Sequence, residues 1–261
     1  MSRERTYRSE AVVLRRLDFG EADRLLTLYS REQGKIKAIA KGARKPQSRK
    51  TGHVELFMRS KFFIAKGRNL DIITQAEIIE PYIALRSDLV RTTYASYAVE
   101  LLDRFTVEED KHTGIYDLLI NALGWFSTAE DVFMTARYYE LRLLSLTGFQ
   151  PRLYQCVACN EAIQEQDQSF SAELGGLLCP DSRHADRNAL PVSAVAVKVL
   201  RYLQTRSWDV VQHLHLKKPL LHELEKVMHA YIMFILERDL KSVDFLQRLR
   251  REAEMFAAPQ E

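Results

Sequence analysis

Arg24-Leu-Leu-Thr-Leu-Tyr-Ser30, Arg31-Glu-Gln-Gly34 and Lys35-Ile-Lys-Ala-Ile-Ala-Lys41 run consecutively, and their reading decides the fold. Ile36, Ala38 and Ala40 alternate with Lys35 and Lys37, and Lys41 closes the run. A period of two is that of a half-buried strand, so one face is apolar and the other carries a row of ammonium groups. Gly34 supplies a turn residue that tolerates positive φ, and this pairs the lysine strand with the apolar strand before it. Upstream, Ala11 to Leu17 forms another apolar run, interrupted by the pair Arg15-Arg16. Downstream, Phe57 to Ala65 and Leu70 to Ile79 read as two strands joined around Lys66-Gly-Arg-Asn69, a hairpin signal. Between them, Lys41 to Gly52 contains two glycines, Pro46 and the cations Arg44, Lys45, Arg49 and Lys50, the composition of a basic loop. Five short strands with one basic face predict a small closed barrel of the OB type.

Past Pro81 the period changes. Leu85, Leu89, Thr93, Tyr97, Leu101 and Phe105 recur at fours, with Leu102 widening the stripe, which is the pattern of an amphipathic helix. Ile115 to Phe126 and Val132 to Leu146 continue it, until Gly148 and Pro151 stop the last helix. Residues 152–187 break the pattern and hold every cysteine. Helical spacing returns in Val192 to Arg206 and Leu220 to Leu236, with a short closing helix near Val243 to Leu249. The expected class is therefore α+β multidomain. Residues 1–80 would form the barrel, 81–151 and 188–261 a helical domain in two parts, and 152–187 a small insertion. The aromatic side chains of the helices are assigned to the core.

The composition, 46% apolar and 28% charged, is that of an ordinary globular protein. No apolar run approaches the ~18 residues that cross a bilayer. The first ten residues are charged throughout and lack the apolar core of a signal peptide. Three cysteines do not make a disulfide framework, so a cytoplasmic setting is expected. The net charge of +3 conceals an asymmetry: residues 1–80 hold 18 Lys and Arg against 10 Asp and Glu. The remainder holds 20 against 25 and is mildly acidic. A concentration of positive charge in one segment points to a polyanion partner, where a solvated face serving solubility would intersperse its charges. Binding a phosphate backbone needs cations spaced along a groove, and binding a single strand adds exposed aromatics on which bases stack. The candidates for phosphate contact are Arg15, Arg16, Lys35, Lys37, Lys41, Arg44, Lys45, Arg49 and Lys50. Phe19, Tyr29, Phe57, Phe62 and Phe63 are candidates for stacking, although most must fill the barrel. No phosphate-cradling glycine motif occurs, so nucleotide hydrolysis has no support.

Cys156-Val-Ala-Cys159 and Cys179 have the spacing of a four-ligand zinc ribbon, except that Ser182 holds the fourth position. A neutral hydroxyl is a poor partner for zinc beside three thiolates. His184, two residues on, is the candidate fourth ligand of a Cys156, Cys159, Cys179, His184 site, and Asp181 a weaker one. The alternative is a knuckle held by packing without metal. His53-Val-Glu55 together with the C-x-x-C formally matches zinc deaminases. The two motifs lie in what read as separate domains, however, and Gln155 stands where that signature has proline. No catalytic residue is assigned.

Together these motifs resemble the RecO family of bacterial recombination mediators. The likeness is carried by Asp23-Arg-Leu-Leu-Thr-Leu-Tyr-Ser30 with Gly34-Lys35 and Ala40-Lys-Gly-Ala-Arg44. It continues through Leu143-Leu-Ser-Leu-Thr-Gly-Phe-Gln-Pro151, Gly175-Gly-Leu-Leu-Cys179 and Lys241-Ser-Val-Asp-Phe-Leu246. The resemblance implies an OB domain, a helical domain and a zinc-knuckle-like insertion, with departure from the cysteine-bearing members at Ser182. It also implies a nucleoid-associated protein that binds single- and double-stranded DNA and anneals complementary strands. Such a protein would load RecA onto strands coated by single-strand-binding protein. Its partners would be RecR and the C-terminal tail of single-strand-binding protein. A helical adaptor with incidental DNA affinity is the competing expectation.

Overall fold

A computed structural model describes residues 5–45 and 51–236. The chain divides into two compact units, Met1–Thr128 and Ala129–Glu261. That division falls inside the stretch read as the first part of the helical domain. Arg49 and Lys50 of the basic loop, and the closing helix near Val243, lie outside the described residues.

The first unit opens with five strands, β1 (Thr6–Phe19), β2 (Asp23–Ser30), β3 (Gly34–Ala40), β4 (Arg59–Ala65) and β5 (Asp71–Glu80). They close in the order β1-β2-β3-β5-β4, with β4 returning to β1 and the β3–β5 pair parallel, the barrel expected from the sequence. The alternation in β3 holds: Ile36, Ala38 and Ala40 are buried, Lys35 is partly buried and Lys37 is exposed. The interior is filled by Ala11, Val13, Leu26, Leu28, Ile36, Phe62, Ile64 and Ile73 with smaller neighbours. Each of the larger ones contributes about 1.5–3 kcal/mol by leaving water. β1 is longer than its apolar run suggested, because Thr6 to Glu10 pairs with Lys61 to Ala65 despite its polar composition.

Three helices complete this unit: α1 (Ala84–Ser87), α2 (Leu89–Phe105) and α3 (Thr113–Thr128). Asp88 caps α2 by accepting from the Arg91 amide at 3.0 Å, satisfying one of the free N–H groups of the first turn. The segment after α2 lies against the β2–β3 turn, where the Glu109 amide donates to the Lys35 carbonyl at 2.9 Å. A side chain at Gly34 would meet the Asp110 carbonyl oxygen at 1.9 Å, and φ there is +69°, so glycine is required for both reasons.

The second unit contains α4 (Val132–Leu146), a three-stranded sheet, and α5 (Ala194–Thr205), α6 (Trp208–Val211) and α7 (Lys218–Leu236). Helix α4 packs against α5 and α7. The sheet, in the order β7-β6-β8, consists of β6 (Gln168–Ser171), β7 (Gly176–Leu178) and β8 (Leu190–Val192). Its strands are too short to show a period in sequence. Ser193 follows β8 and caps α5, accepting from the Ala196 amide at 3.1 Å. Val192, read as the start of the helix, therefore belongs to the sheet.

Candidate functional site

The barrel's outer surface is set by strand register. Arg15 lies opposite Thr27, and Thr27 opposite Lys37, so these three form one cross-strand row over β1, β2 and β3. The next row is Leu17, Leu25 and Ile39, continued to Ile72 of β5. Leu17 and Phe19 are 45% and 44% exposed, an unusual position for large apolar side chains. The face thus has an apolar strip bounded by Arg15 and Lys37, with Phe19 at the tip of the β1–β2 hairpin.

A register shift between Val13 and Arg15 decides what the Arg15-Arg16 pair does. The extra residue of a bulge changes which side chains face outward. Arg15 is exposed, whereas Arg16 falls in the row of buried Leu26 and ion-pairs with Glu55. Arg24, which the sequence reading did not single out, binds the other oxygen of Glu55 at 2.8 Å. Burial, and then the neighbouring Arg24 charge, hold the Arg16 pKa below its ordinary value. Glu55 is held between two guanidiniums, which leaves no free carboxylate for the deaminase-like reading of His53-Val-Glu55.

The lysines of β3 are not the open row expected. Lys35 Nζ lies 3.0 Å from Asp103 Oδ1 and donates to the Asp103 carbonyl at 2.6 Å, with its side chain only 11% exposed. Lys37 ion-pairs with Glu108 yet stays half exposed. Both acidic partners come from α2 and the segment after it, which lie far away in sequence. Arg44 is partly held by Asp18, Nε to Oδ2 3.4 Å, and donates to the Gly20 carbonyl. Lys41 and Lys45 are exposed, and among the described residues no carboxylate pairs with them or with Arg15. Of the stacking candidates, Tyr29, Phe57 and Phe62 are buried and only Phe19 is counted among the exposed large apolar side chains.

In the second unit the three cysteines converge, with their sulphur atoms all within 4.8 Å of one another. Local geometry explains this. The Asn160 amide donates to the Cys156 carbonyl at 3.0 Å, with Asn160 at positive φ, closing the turn that carries Cys156 and Cys159. Val157 and Leu177 then tie that turn to β7, the Val157 amide donating to the Leu177 carbonyl at 2.9 Å. Gly176 permits the approach, since a Cβ there would meet the Arg152 carbonyl oxygen at 2.4 Å. Cys179 follows β7 directly, and its Sγ lies 3.7 Å from that of Cys159. Although burial opposes ionisation, hydrogen bonds from the backbone at Cys159, Cys179 and Ala158 and from the Ser182 hydroxyl pull the Cys156 thiol down to about 6.

The fourth position differs from expectation. A 3-10 turn from Pro180 to Ala185 folds the chain back, with the Ser182 amide donating to the Cys179 carbonyl at 3.0 Å. This buries Ser182 with its Oγ 3.3 Å from Cys179 Sγ. His184 and Asp181 are exposed, and among the described residues no histidine or carboxylate joins the cluster. The turn is too tight to bring both residues 182 and 184 to one point. Three close cysteines of this kind can hold a metal ion.

Comparison with known proteins agrees with this architecture. Residues 1–82 match the family model described as Recombination protein O N terminal, and residues 86–244 match Recombination protein O C terminal. The DNA repair protein RecO of Roseiflexus sp. (strain RS-1) is 41% identical over 249 residues, spanning 95% of this chain and 88% of that protein. That of Desulforamulus reducens is 38% identical over 243 residues, spanning 93% and 94%. That of Dehalococcoides mccartyi strain 195 is 34% identical over 251 residues, spanning 96% and 99%.

Proposed function

The chain belongs to the RecO family of DNA repair proteins, and from that premise we propose that it is a recombination mediator holding DNA strands on the outer face of β1, β2 and β3. The observation that carries this reading is the strip of Leu17, Phe19, Leu25 and Ile39, exposed at Leu17 and Phe19 and partly buried at Leu25 and Ile39, flanked by Arg15, Lys37 and Lys41. Bases stack on Phe19 and lie over the aliphatic strip, while the flanking cations follow the phosphates. Arg44 and Lys45 extend the contact, and Arg49 and Lys50 follow them in the sequence. Arg16 and Lys35 have structural roles instead, closing ion pairs with Glu55 and Asp103.

Single- and double-stranded DNA are both ligands, because the dominant attraction is to the backbone, whose released counterions drive binding regardless of sequence. Annealing follows physically. A cationic face lowers the repulsion between two polyanions and leaves base edges free to pair. No covalent step is required, and no residue is assigned to catalysis. Family membership supports a role in the bacterial cytoplasm at the nucleoid. There the protein would work with RecR and the C-terminal tail of single-strand-binding protein to load RecA.

Zinc is the ion we assign to the cysteine cluster, as a structural cross-link. A tetrahedral ion about 2.3 Å from each thiolate sets its sulphurs about 3.8 Å apart, close to the 3.7 Å between Cys159 and Cys179. Cys156, Cys159 and Cys179 would hold it, pinning their turn to the end of β7.

Strand annealing of complementary oligonucleotides without ATP tests the proposed function. Accelerated pairing that falls as salt rises is expected. Pairing no faster than in buffer, with little DNA affinity near physiological ionic strength, would favour the adaptor reading.

A further inference from the structure

Resting on the assignment of zinc, we propose that the Ser182 hydroxyl supplies the fourth corner of the metal site, and that this corner is exchangeable for a small external thiolate. Three observations converge on it. First, Ser182 Oγ is the polar side-chain atom that the Pro180–Ala185 turn delivers to the sulphurs, 3.3 Å from Cys179 Sγ. A tetrahedral ion with one oxygen at about 2.0 Å and one thiolate at about 2.3 Å separates the two donors by about 3.5 Å. The observed separation is close to that of two donors on one ion.

Second, the position is built. The Ser182 amide is fixed on the Cys179 carbonyl, and Ser182 is buried although its neighbours Asp181 and Arg183 are exposed. A serine serving only as a turn residue would not need its side chain turned inward. Third, the cluster is accessible from one side. Cys156 is buried, Cys179 is intermediate and Cys159 is exposed, so the Cys159 side is the one open to solvent.

The chemistry of the donors sets the behaviour. Three thiolates satisfy most of the ion's demand, and a neutral hydroxyl adds a weak bond that carries no charge. An incoming thiolate, RS⁻, forms a metal–sulphur bond as the metal–oxygen bond to Ser182 breaks. The serine keeps its proton, and no electron is transferred. The site is thus a thiolate-receptive knuckle, whereas four cysteines would make it closed.

Cobalt(II) titrated anaerobically into the metal-stripped full-length protein reads this directly, because the sulphur-to-cobalt charge-transfer band scales with the number of bound thiolates. Wild type is expected to show the intensity of three thiolates, and Ser182→Cys about one third more, with cobalt held on the order of tenfold more tightly. Added 2-mercaptoethanol should raise the wild-type band by a similar third and leave Ser182→Cys unchanged. Ser182→Ala should alter the d–d envelope, while His184→Ala should match wild type. Exchange is overturned if the wild-type band ignores the thiol while Ser182→Cys gains intensity. A changed envelope in His184→Ala, or an unchanged one in Ser182→Ala, would overturn the assignment of the hydroxyl. Failure of wild type and Ser182→Cys alike to take up cobalt would remove the metal reading itself and leave the DNA-binding proposal standing.

Discussion

Lys41→Ala/Lys45→Ala and Lys35→Ala remove neighbouring cations from one basic segment, and the structure expects them to behave in opposite ways. Lys41 and Lys45 are exposed and have no carboxylate partner among the described residues. Lys35 is committed to Asp103, with its side chain 11% exposed. On single-stranded DNA each phosphate contact contributes about 0.7 to the slope of log K against log salt, so losing two flattens it by about 1.4. Raising salt fourfold, from about 50 to about 200 mM, then costs the double variant about sevenfold less affinity than it costs wild type. Lys35→Ala should keep the wild-type slope. Its cost is to stability, about 1–3 kcal/mol, because the half-buried Asp103 carboxylate loses its counter-charge. Fluorescence anisotropy with a labelled oligonucleotide at four salt concentrations measures the slopes, and urea unfolding measures the stability. If Lys35→Ala flattened the slope as much as the double variant and unfolded normally, the division between structural and phosphate-contacting lysines would be wrong.

Glu108→Gln should strengthen DNA binding and steepen its salt dependence by about 0.7, since Lys37 is released from its ion pair; weakened binding would remove Lys37 from the contact surface. Phe19→Ala should cost single-strand affinity about 1–3 kcal/mol at every salt concentration, with an unchanged slope. Rescue by Phe19→Trp would identify stacking, and equal failure of both variants would refute it. Tyr116→Phe tests the join between α3 and β1, where the Tyr116 hydroxyl donates to Glu10 Oε1 at 2.7 Å. Burial pushes Glu10 up, but hydrogen bonds from Tyr116 and Arg59 outweigh it and hold the carboxyl below its ordinary 4.5. A depressed carboxylate stabilises the fold above that ordinary value, and the contribution disappears as pH falls through the lower native value. The variant should therefore lose about 1.5–3 kcal/mol in urea unfolding at pH 7, and the deficit should shrink towards pH 3. An equal deficit at both would mean that packing alone is involved.

The ion pairs of the barrel bear on the proposed function. Arg16, Arg24 and Glu55 form an alternating cluster next to the interior, and its charges are partly shielded from water. Such a cluster contributes less to phosphate binding than its two guanidiniums would alone, because Glu55 offsets one of the two charges and holds both side chains in place. The cations that remain outward frame Phe19 and the aliphatic strip. The proposed DNA face is thus narrower than the total of basic residues implies, and more apolar.

Periodicity was sufficient for the barrel and for the helices among the described residues, and charge density pointed to a polyanion partner. Alternation in Lys35 to Ala40 and spacing by fours after Pro81 are local properties, set by how side chains project from a strand or a helix. Cysteine spacing likewise located the cluster. What tertiary structure alone decided was which charges and donors are free. The bulge after Val13 separates Arg15 from Arg16, and Asp103 of α2 and Glu108 of the segment after it return to Lys35 and Lys37. The turn at Pro180 brings the Ser182 hydroxyl, and not the His184 ring, to the thiols. Each outcome depends on groups remote in sequence meeting at a few ångströms, where charge and coordination act. Charge density along the chain pointed to a polyanion partner, whereas only the folded pairing of those charges indicates which residues are left exposed to meet one.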